Sequence, residues 1–271
     1  NKANKVISNY SDQTNKNVIE QLLGKDAQVL RSAWPIYNCL IQFLPQQLSK
    51  WFDIACICDI TEALKYATVA KVWEVDKTGN HNKKIIRPEE AASLNAAGHT
   101  IVLDDVRLPG LIPLMNRFAD ELKTPMATVQ CNVIYTQPGQ RCATHFDCQE
   151  IINVQISGYK KWAIAENKHV SFPSTGWLDT SRHHKLKEES LVWPIIVPNL
   201  NPQISDIKLG PEQAIFLPRG LWHTTFAETV SISLVLTFVS KTGKDFDKQN
   251  TSSAIVRRMP ICNKTVLTQH V

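Results

Sequence analysis

The spacing of apolar residues changes character partway along the chain. In the first half it follows the period of a helix. Residues 46–60 place Leu48, Trp51, Phe52, Ala55 and Cys56 along one helical stripe. Residues 87–97 read as a short capped helix, with Pro88 in the first turn, Glu89 and Glu90 near the start and Gly98 just past the end. A buried strand is predicted at 101–103, and a helix returns over 111–123 after Pro109-Gly110.

From residue 127 onward the period shortens towards two. Strands are predicted at 127–135, 150–156, 160–165, 191–196, 214–217, 222–225 and 231–239, separated by Pro138-Gly139, Ser157-Gly158 and Pro218-Arg219-Gly220 among other breaks. Short strands without intervening helices argue for a jelly roll rather than a parallel α/β sheet. The expected class is therefore mainly β with a helical N-terminal part. It divides into a helix-rich region over 1–125 that packs on a barrel, a catalytic jelly-roll core over 126–243, and a tail over 244–271.

Composition adds limits. A chain of 271 residues with 43% hydrophobic and 20% charged residues can bury a substantial core, and it has no disorder-prone tract. No apolar run is long enough to span a bilayer and no signal-peptide pattern opens the sequence, so a cytoplasmic location without membrane contact is expected. The seven cysteines form no matched CxxC pairs, which favours reduced thiols over a zinc ribbon or a disulfide framework, and Cys56 and Cys58 are expected as small core residues. A net charge of +5 is mild and dispersed, and it gives no direct sign of nucleic-acid binding. His183-His184, in the polar stretch 179–189, read as an exposed loop. Nothing in the sequence sets the oligomeric state.

The chemistry concentrates in two places. In the first, Thr144-His145-Phe146-Asp147 enters a strand, where residues two apart project to the same face, so an imidazole and a carboxylate can converge on one ion. A lone His-x-Asp arises often by chance, and the weight falls on what accompanies it. The second is Phe216-Leu217-Pro218-Arg219-Gly220-Leu221-Trp222-His223, a strand, a turn and a histidine opening the next strand. His145, Asp147 and His223 together make the two-His, one-carboxylate set that binds non-haem Fe(II) on one face and leaves the other positions open. Open positions admit a bidentate 2-oxo acid and O2, which a closed structural zinc site cannot.

Lys160 follows the Ser157-Gly158 turn and shares its strand face with Trp162 and Ile164. If that bulky face is the buried one, its ammonium needs an anion, and the distal carboxylate of 2-oxoglutarate would serve. A solvated Lys160 is the alternative.

The blocks from His145-Phe146-Asp147 through Val154-Gln155-Ile156-Ser157-Gly158-Tyr159-Lys160-Lys161-Trp162, with residues 216–223 and Ser233-Leu234-Val235-Leu236-Thr237, resemble the JmjC-type 2-oxoglutarate oxygenases. Within them the chain is most similar to the ribosomal oxygenase branch, over roughly residues 90–240. The resemblance implies a cupin-like double-stranded β-helix and hydroxylation of a peptide or protein side chain with release of succinate and CO2. It implies His145, Asp147 and His223 as iron ligands, and Lys160, Asn132 and Ser233 as residues that bind 2-oxoglutarate. On pattern alone Asn132 shares a face with Thr128 and Gln130, and Ser233 with Ser231 and Thr237, so both can also face water. Arg141, Tyr135 and Trp222 would lie near the iron and can equally be packing or surface residues. Ribosomal oxygenases continue into a helical dimerisation region and a winged-helix-like domain, for which residues 240–271 are too few. A small-molecule hydroxylase, an N-demethylase and a non-catalytic cupin-like binding module remain rival readings.

Overall fold

The structure, a computed structural model, describes residues 17–75, 81–123, 126–170, 173, 177–178 and 197–240. The predicted strand at 191–196, the His183-His184 loop and the tail over 244–271 lie outside the described residues.

Thirteen strands run in chain order: β1 (Cys39–Gln42), β2 (Val69–Val75), β3 (His81–Ile86), β4 (Thr100–Asp104), β5 (Met126–Thr136), β6 (His145–Phe146), β7 (Glu150–Ser157), β8 (Lys160–Ala165), β9 (Trp177–Leu178), β10 (Ile207–Leu209), β11 (Gln213–Leu217), β12 (Trp222–Ala227) and β13 (Ser231–Ser240). They form two antiparallel sheets. The larger has the order β1-β11-β7-β13-β5-β4-β2-β3, and the smaller β10-β8-β12-β6-β9. This is the jelly-roll, double-stranded β-helix architecture expected, with helices gathered in the N-terminal part.

Strand alternation gives the larger sheet two unlike faces. On β13, Leu234, Leu236 and Phe238 point one way and are buried, as are Cys131, Val133 and Tyr135 on β5, Ile152 and Val154 on β7, and Phe216 on β11. That face packs under the helices. Leu111–Glu121 contributes Leu111, Leu114, Met115, Phe118 and Ala119, the i, i+3, i+4, i+7, i+8 stripe of a half-buried helix. Burying each such aliphatic or aromatic side chain is worth about 1.5–3 kcal/mol. The opposite face looks across to the smaller sheet and carries most of the polar residues.

Two local readings are corrected. Residues 46–60 do not form one helix: Leu48–Lys50 is a 3-10 turn, followed by Ile54–Cys58 and Ile60–Leu64. Asp53 and Asp59 break the run because each carboxylate accepts hydrogen bonds from backbone N–H groups two and three residues on, which starts a new helix. Cys58 is consequently exposed, not a core residue, while Cys56 is half-buried. The first half also supplies β1, β2 and β3 besides the expected strand near 101–103. No helix among the described residues is long and apolar enough to cross a membrane.

Candidate functional site

A cavity of about 190 Å³ opens between the sheets. Its floor comes from the alternate residues of the larger sheet, namely Gln130, Asn132, Ile134 and Thr136 of β5, Ile151 and Asn153 of β7, and Val235 and Thr237 of β13. The smaller sheet supplies Lys160 and Trp162 of β8 and His223 and Thr225 of β12. The face of β5 and β13 that can be taken from sequence for a solvent face is the lining of this cavity. On β13 its polar residues are sheltered, Ser233 fully and Thr237 nearly so, as is Gln155 on the neighbouring β7.

His145 and His223 sit directly opposite one another in the antiparallel pairing of β6 with β12. Their ring centroids are 4.1 Å apart. Each ring is held by its own backbone: His145 Nδ1 lies 2.9 Å from the Ala143 carbonyl and His223 Nδ1 3.0 Å from the Leu221 carbonyl. A carbonyl oxygen only accepts, so both Nδ1 atoms carry the proton and both Nε2 atoms present a lone pair. Asp147 follows β6, and its own carbonyl accepts from Gly220 N at 2.8 Å, which ties it to the turn before His223. Gly220 holds a positive φ of 81°, a conformation L side chains rarely adopt.

Asp147 Oδ2 stands 3.8 Å from His145 Nε2 and 3.5 Å from His223 Nε2. These separations exceed good hydrogen bonds. The three donors face a common point rather than each other, within 4.8 Å, which is the arrangement a divalent cation fits. Burial holds both imidazoles below their ordinary range, favouring the neutral, metal-binding form. Burial also pushes the Asp147 carboxyl up, but His145, His223 and Lys83 together outweigh it and leave it ionised.

Lys160 enters through a tight turn. At Gly158, with φ of 69°, a Cβ would come within 2.0 Å of the Val230 carbonyl, so only glycine fits there. The turn aims Lys160 inward, where its side chain is 4% exposed. Its Nζ donates to Ser233 Oγ at 3.0 Å, and Ser233 donates in turn to Gln155 Oε1 at 3.1 Å. No carboxylate pairs with it among the described residues, and burial pulls its pKa down to about 8. On β5, Asn132 accepts from Asp105 N through Oδ1 at 3.0 Å, which leaves its amide N–H groups to donate. The structure thus brings all six predicted residues to one cavity or its wall.

Of the three further residues, Arg141 lines the cavity. Tyr135 instead points into the helix-covered core and donates to the Ile57 carbonyl at 2.6 Å, and Trp222 packs edge-on against Phe146 behind the site. Sequence reasoning missed several features. Asn153 interrupts the apolar run Ile151-Ile152-Asn153-Val154, and its Oδ1 is buried in the cavity wall without a partner among the described residues. Trp162 Nε1 is likewise unpartnered. A buried bidentate pair joins Arg219 to Glu150 at 2.6 and 2.9 Å. At the mouth Trp73 lies edge-on to His145, centroids 6.1 Å apart, with Lys83 Nζ 4.7 Å over its ring.

Comparisons with known proteins agree with this geometry. The model of the JmjC domain family matches residues 111–246. The uncharacterized protein YxbC of Bacillus subtilis (strain 168) is 26% identical over 167 residues, 60% of this chain and 51% of that protein. The bifunctional lysine-specific demethylase and histidyl-hydroxylase NO66 of Drosophila persimilis is 28% identical over 143 residues, 52% of this chain and 18% of that protein. The chain therefore spans about half the length of the first and less than a fifth of the second. Among solved structures, YcfD, a ribosomal oxygenase from Escherichia coli in complex with cobalt and 2-oxoglutarate, superposes with a TM-score of 0.53 at 14% identity, covering 93% of this chain and 63% of that one. Its complex with cobalt and succinic acid gives 0.52 at 13% identity, with the same coverage of both chains. At these identities the structural likeness is one of fold.

Proposed function

The chain belongs to the JmjC domain family, and from that premise we propose that it is an Fe(II)- and 2-oxoglutarate-dependent oxygenase that hydroxylates a peptide or protein side chain. The observation that carries the reading is the pairing, in one cavity, of a two-His, one-carboxylate donor set with a buried lysine that has no carboxylate of its own among the described residues.

In this reading His145, Asp147 and His223 hold the iron through two Nε2 atoms and one carboxylate oxygen. The backbone carbonyls of Ala143 and Leu221 keep both lone pairs turned to the ion without any rearrangement. Lys160 receives the distal carboxylate of 2-oxoglutarate, a charge-assisted contact strengthened by the dry surroundings. Ser233 accepts from the ammonium and donates its own hydroxyl to Gln155 Oε1, which fixes the direction in which Lys160 points. Asn132 donates from its amide to the same cosubstrate. Bound together, iron and 2-oxoglutarate supply oxidative chemistry: O2 is consumed, the oxo acid leaves as succinate and CO2, and one oxygen atom enters a substrate C–H bond.

The reading favours a polypeptide substrate because the cavity opens to the surface and because the named oxygenases it resembles are a histidyl-hydroxylase and a ribosomal oxygenase. The test is anaerobic loading with Fe(II) and 2-oxoglutarate, exposure to air with peptide pools, and mass spectrometry. Succinate formation with peptides gaining one oxygen atom is the expected result. A protein that binds both ligands yet never forms succinate would be the cupin-like binding module, and one that oxidises only free amino acids would be a small-molecule hydroxylase.

A further inference from the structure

The cavity lining has an unbalanced charge. Among the described residues it carries three cations, Lys83, Arg141 and Lys160, against one carboxylate, Asp147. On the oxygenase reading, on which this inference rests, a divalent metal and dianionic 2-oxoglutarate cancel one another, and the three cations then exceed Asp147 by two charges. Lys160 is buried and given to the cosubstrate, so Lys83 and Arg141 are the exposed cations open to a substrate.

Both line the cavity and are exposed, which places them at its mouth. Lys83 is cross-strand partner to Trp73 in the β2–β3 hairpin, and its ammonium rests over the Trp73 ring. Through Trp73 it stands beside His145, close enough that its charge lowers the pKa of both His145 and Asp147. Arg141 is pinned by a bridge between its backbone and Phe226 on β12. Neither has a carboxylate partner among the described residues. Several cations elsewhere are paired, among them Lys65 with Glu62, Lys71 with Asp104, Arg87 with Glu90, Arg107 with Asp105, Lys208 with Glu228 and Arg219 with Glu150.

We propose that Lys83 and Arg141 form a carboxylate-recognition rim, and that the substrate is an acidic peptide segment whose Asp or Glu side chains seat there while a neighbouring residue enters the cavity. A cleft lined by one sign of charge focuses the field and raises the local concentration of oppositely charged ligand. The fork of Arg141 suits a planar carboxylate, and Lys83 supplies a second point charge. Two cations fit a short acidic motif. A nucleic-acid track, which binds through roughly 6–10 phosphate contacts, would need a longer row.

The test is fluorescence anisotropy on the full chain with three labelled peptide pools, Asp/Glu-rich, uncharged and Lys/Arg-rich, with and without Mn(II) and 2-oxoglutarate under anaerobic conditions. The acidic pool is expected to bind about tenfold more tightly than the others at low salt, with the gap closing as salt rises. The double variant Lys83→Gln/Arg141→Gln should erase the preference, and Lys83→Glu/Arg141→Glu should reverse it. Both positions are exposed, and circular dichroism checks that the variants fold. Equal or tighter binding of the uncharged or basic pool overturns the proposal. So does the absence of saturable binding by any pool, competition by a single-stranded oligonucleotide that outmatches the acidic pool, or a preference that survives charge reversal. Titrating Mn(II) and 2-oxoglutarate into the same protein separates the two claims, because failure there removes the oxygenase reading while the peptide preference is scored independently.

Discussion

His145 and His223 face each other as a direct cross-strand pair, and each is locked through Nδ1 to the carbonyl of the residue two before it in the chain. Two lone pairs are thereby aimed at the point that the Asp147 carboxylate also faces, before any ion arrives. A preorganised site of this kind stabilises the folded state when loaded, by about 2.7 kcal/mol at a hundredfold excess of metal over its dissociation constant. Mn(II) or Co(II) should raise the melting temperature by roughly 5–10 °C, and His223→Ala should abolish the shift. Because burial keeps both imidazoles neutral at pH 7, the shift should persist at neutral pH and fade as acid protonates them. Calorimetry with and without metal across that pH range checks both points.

Lys160 gives a second pH dependence of opposite sense. Its folded-state pKa of about 8 lies below the unfolded value of 10.5. The charged form, required to hold a carboxylate, is fully present below pH 8, so 2-oxoglutarate affinity should be constant there and fall about tenfold per unit above it. The buried charge costs the apo protein stability below pH 8, and this cost disappears as pH rises from 8 to 10.5. Lys160→Met should therefore raise the apo melting temperature while weakening cosubstrate binding, measurable by calorimetry and titration on one sample.

Glu150 and Arg219 are buried together in a bidentate ion pair at the base of the turn that leads to His223. Removing one partner leaves a lone charge in the interior, at a cost of about 3–5 kcal/mol. Glu150→Gln should lower stability by about that amount in urea denaturation and weaken metal binding as well, since Gly220, next to Arg219, holds the Asp147 backbone.

Asn153 presents a buried amide oxygen with no partner among the described residues, flanked across the sheet by Ile215 and Val235. Leucine has nearly the same shape and no group to satisfy, so Asn153→Leu should stabilise the apo protein by about 1–3 kcal/mol. The same change should weaken 2-oxoglutarate binding if the amide bonds to the cosubstrate. A melting curve and a titration together report both effects.

Strands β5, β7, β8, β11, β12 and β13 were legible because their alternation is regular, and β8 begins and ends at the predicted residues 160 and 165, whereas the short β9 and β10 went unpredicted. Alternation grouped Lys160 with Trp162 and Ile164 and left open whether that face is buried; the structure places it inward, beside a nearly inaccessible Trp162. What alternation could not settle was the setting of the polar face of β5 and β13. Asn132 and Ser233 look like water-facing residues unless a second sheet is known to cover them. The three short helical pieces over residues 48–64 were blurred because capping by Asp53 and Asp59 overrides an apolar stripe that otherwise reads as continuous. Lys83 had no local signal at all: its place beside His145 depends on the β2–β3 register and on pairing between distant strands. Asn153 did leave a signal, as a polar interruption of a buried apolar strand.

The central claim is that the His145, Asp147 and His223 triad and Lys160 together bind metal and 2-oxoglutarate. Anaerobic isothermal titration of 2-oxoglutarate tests it most directly. With Mn(II) present the account predicts saturable binding of one equivalent, lost without metal and in His223→Ala, and weakened by about tenfold or more in Lys160→Ala. No binding in the presence of metal, or binding indifferent to metal and to both substitutions, would contradict it.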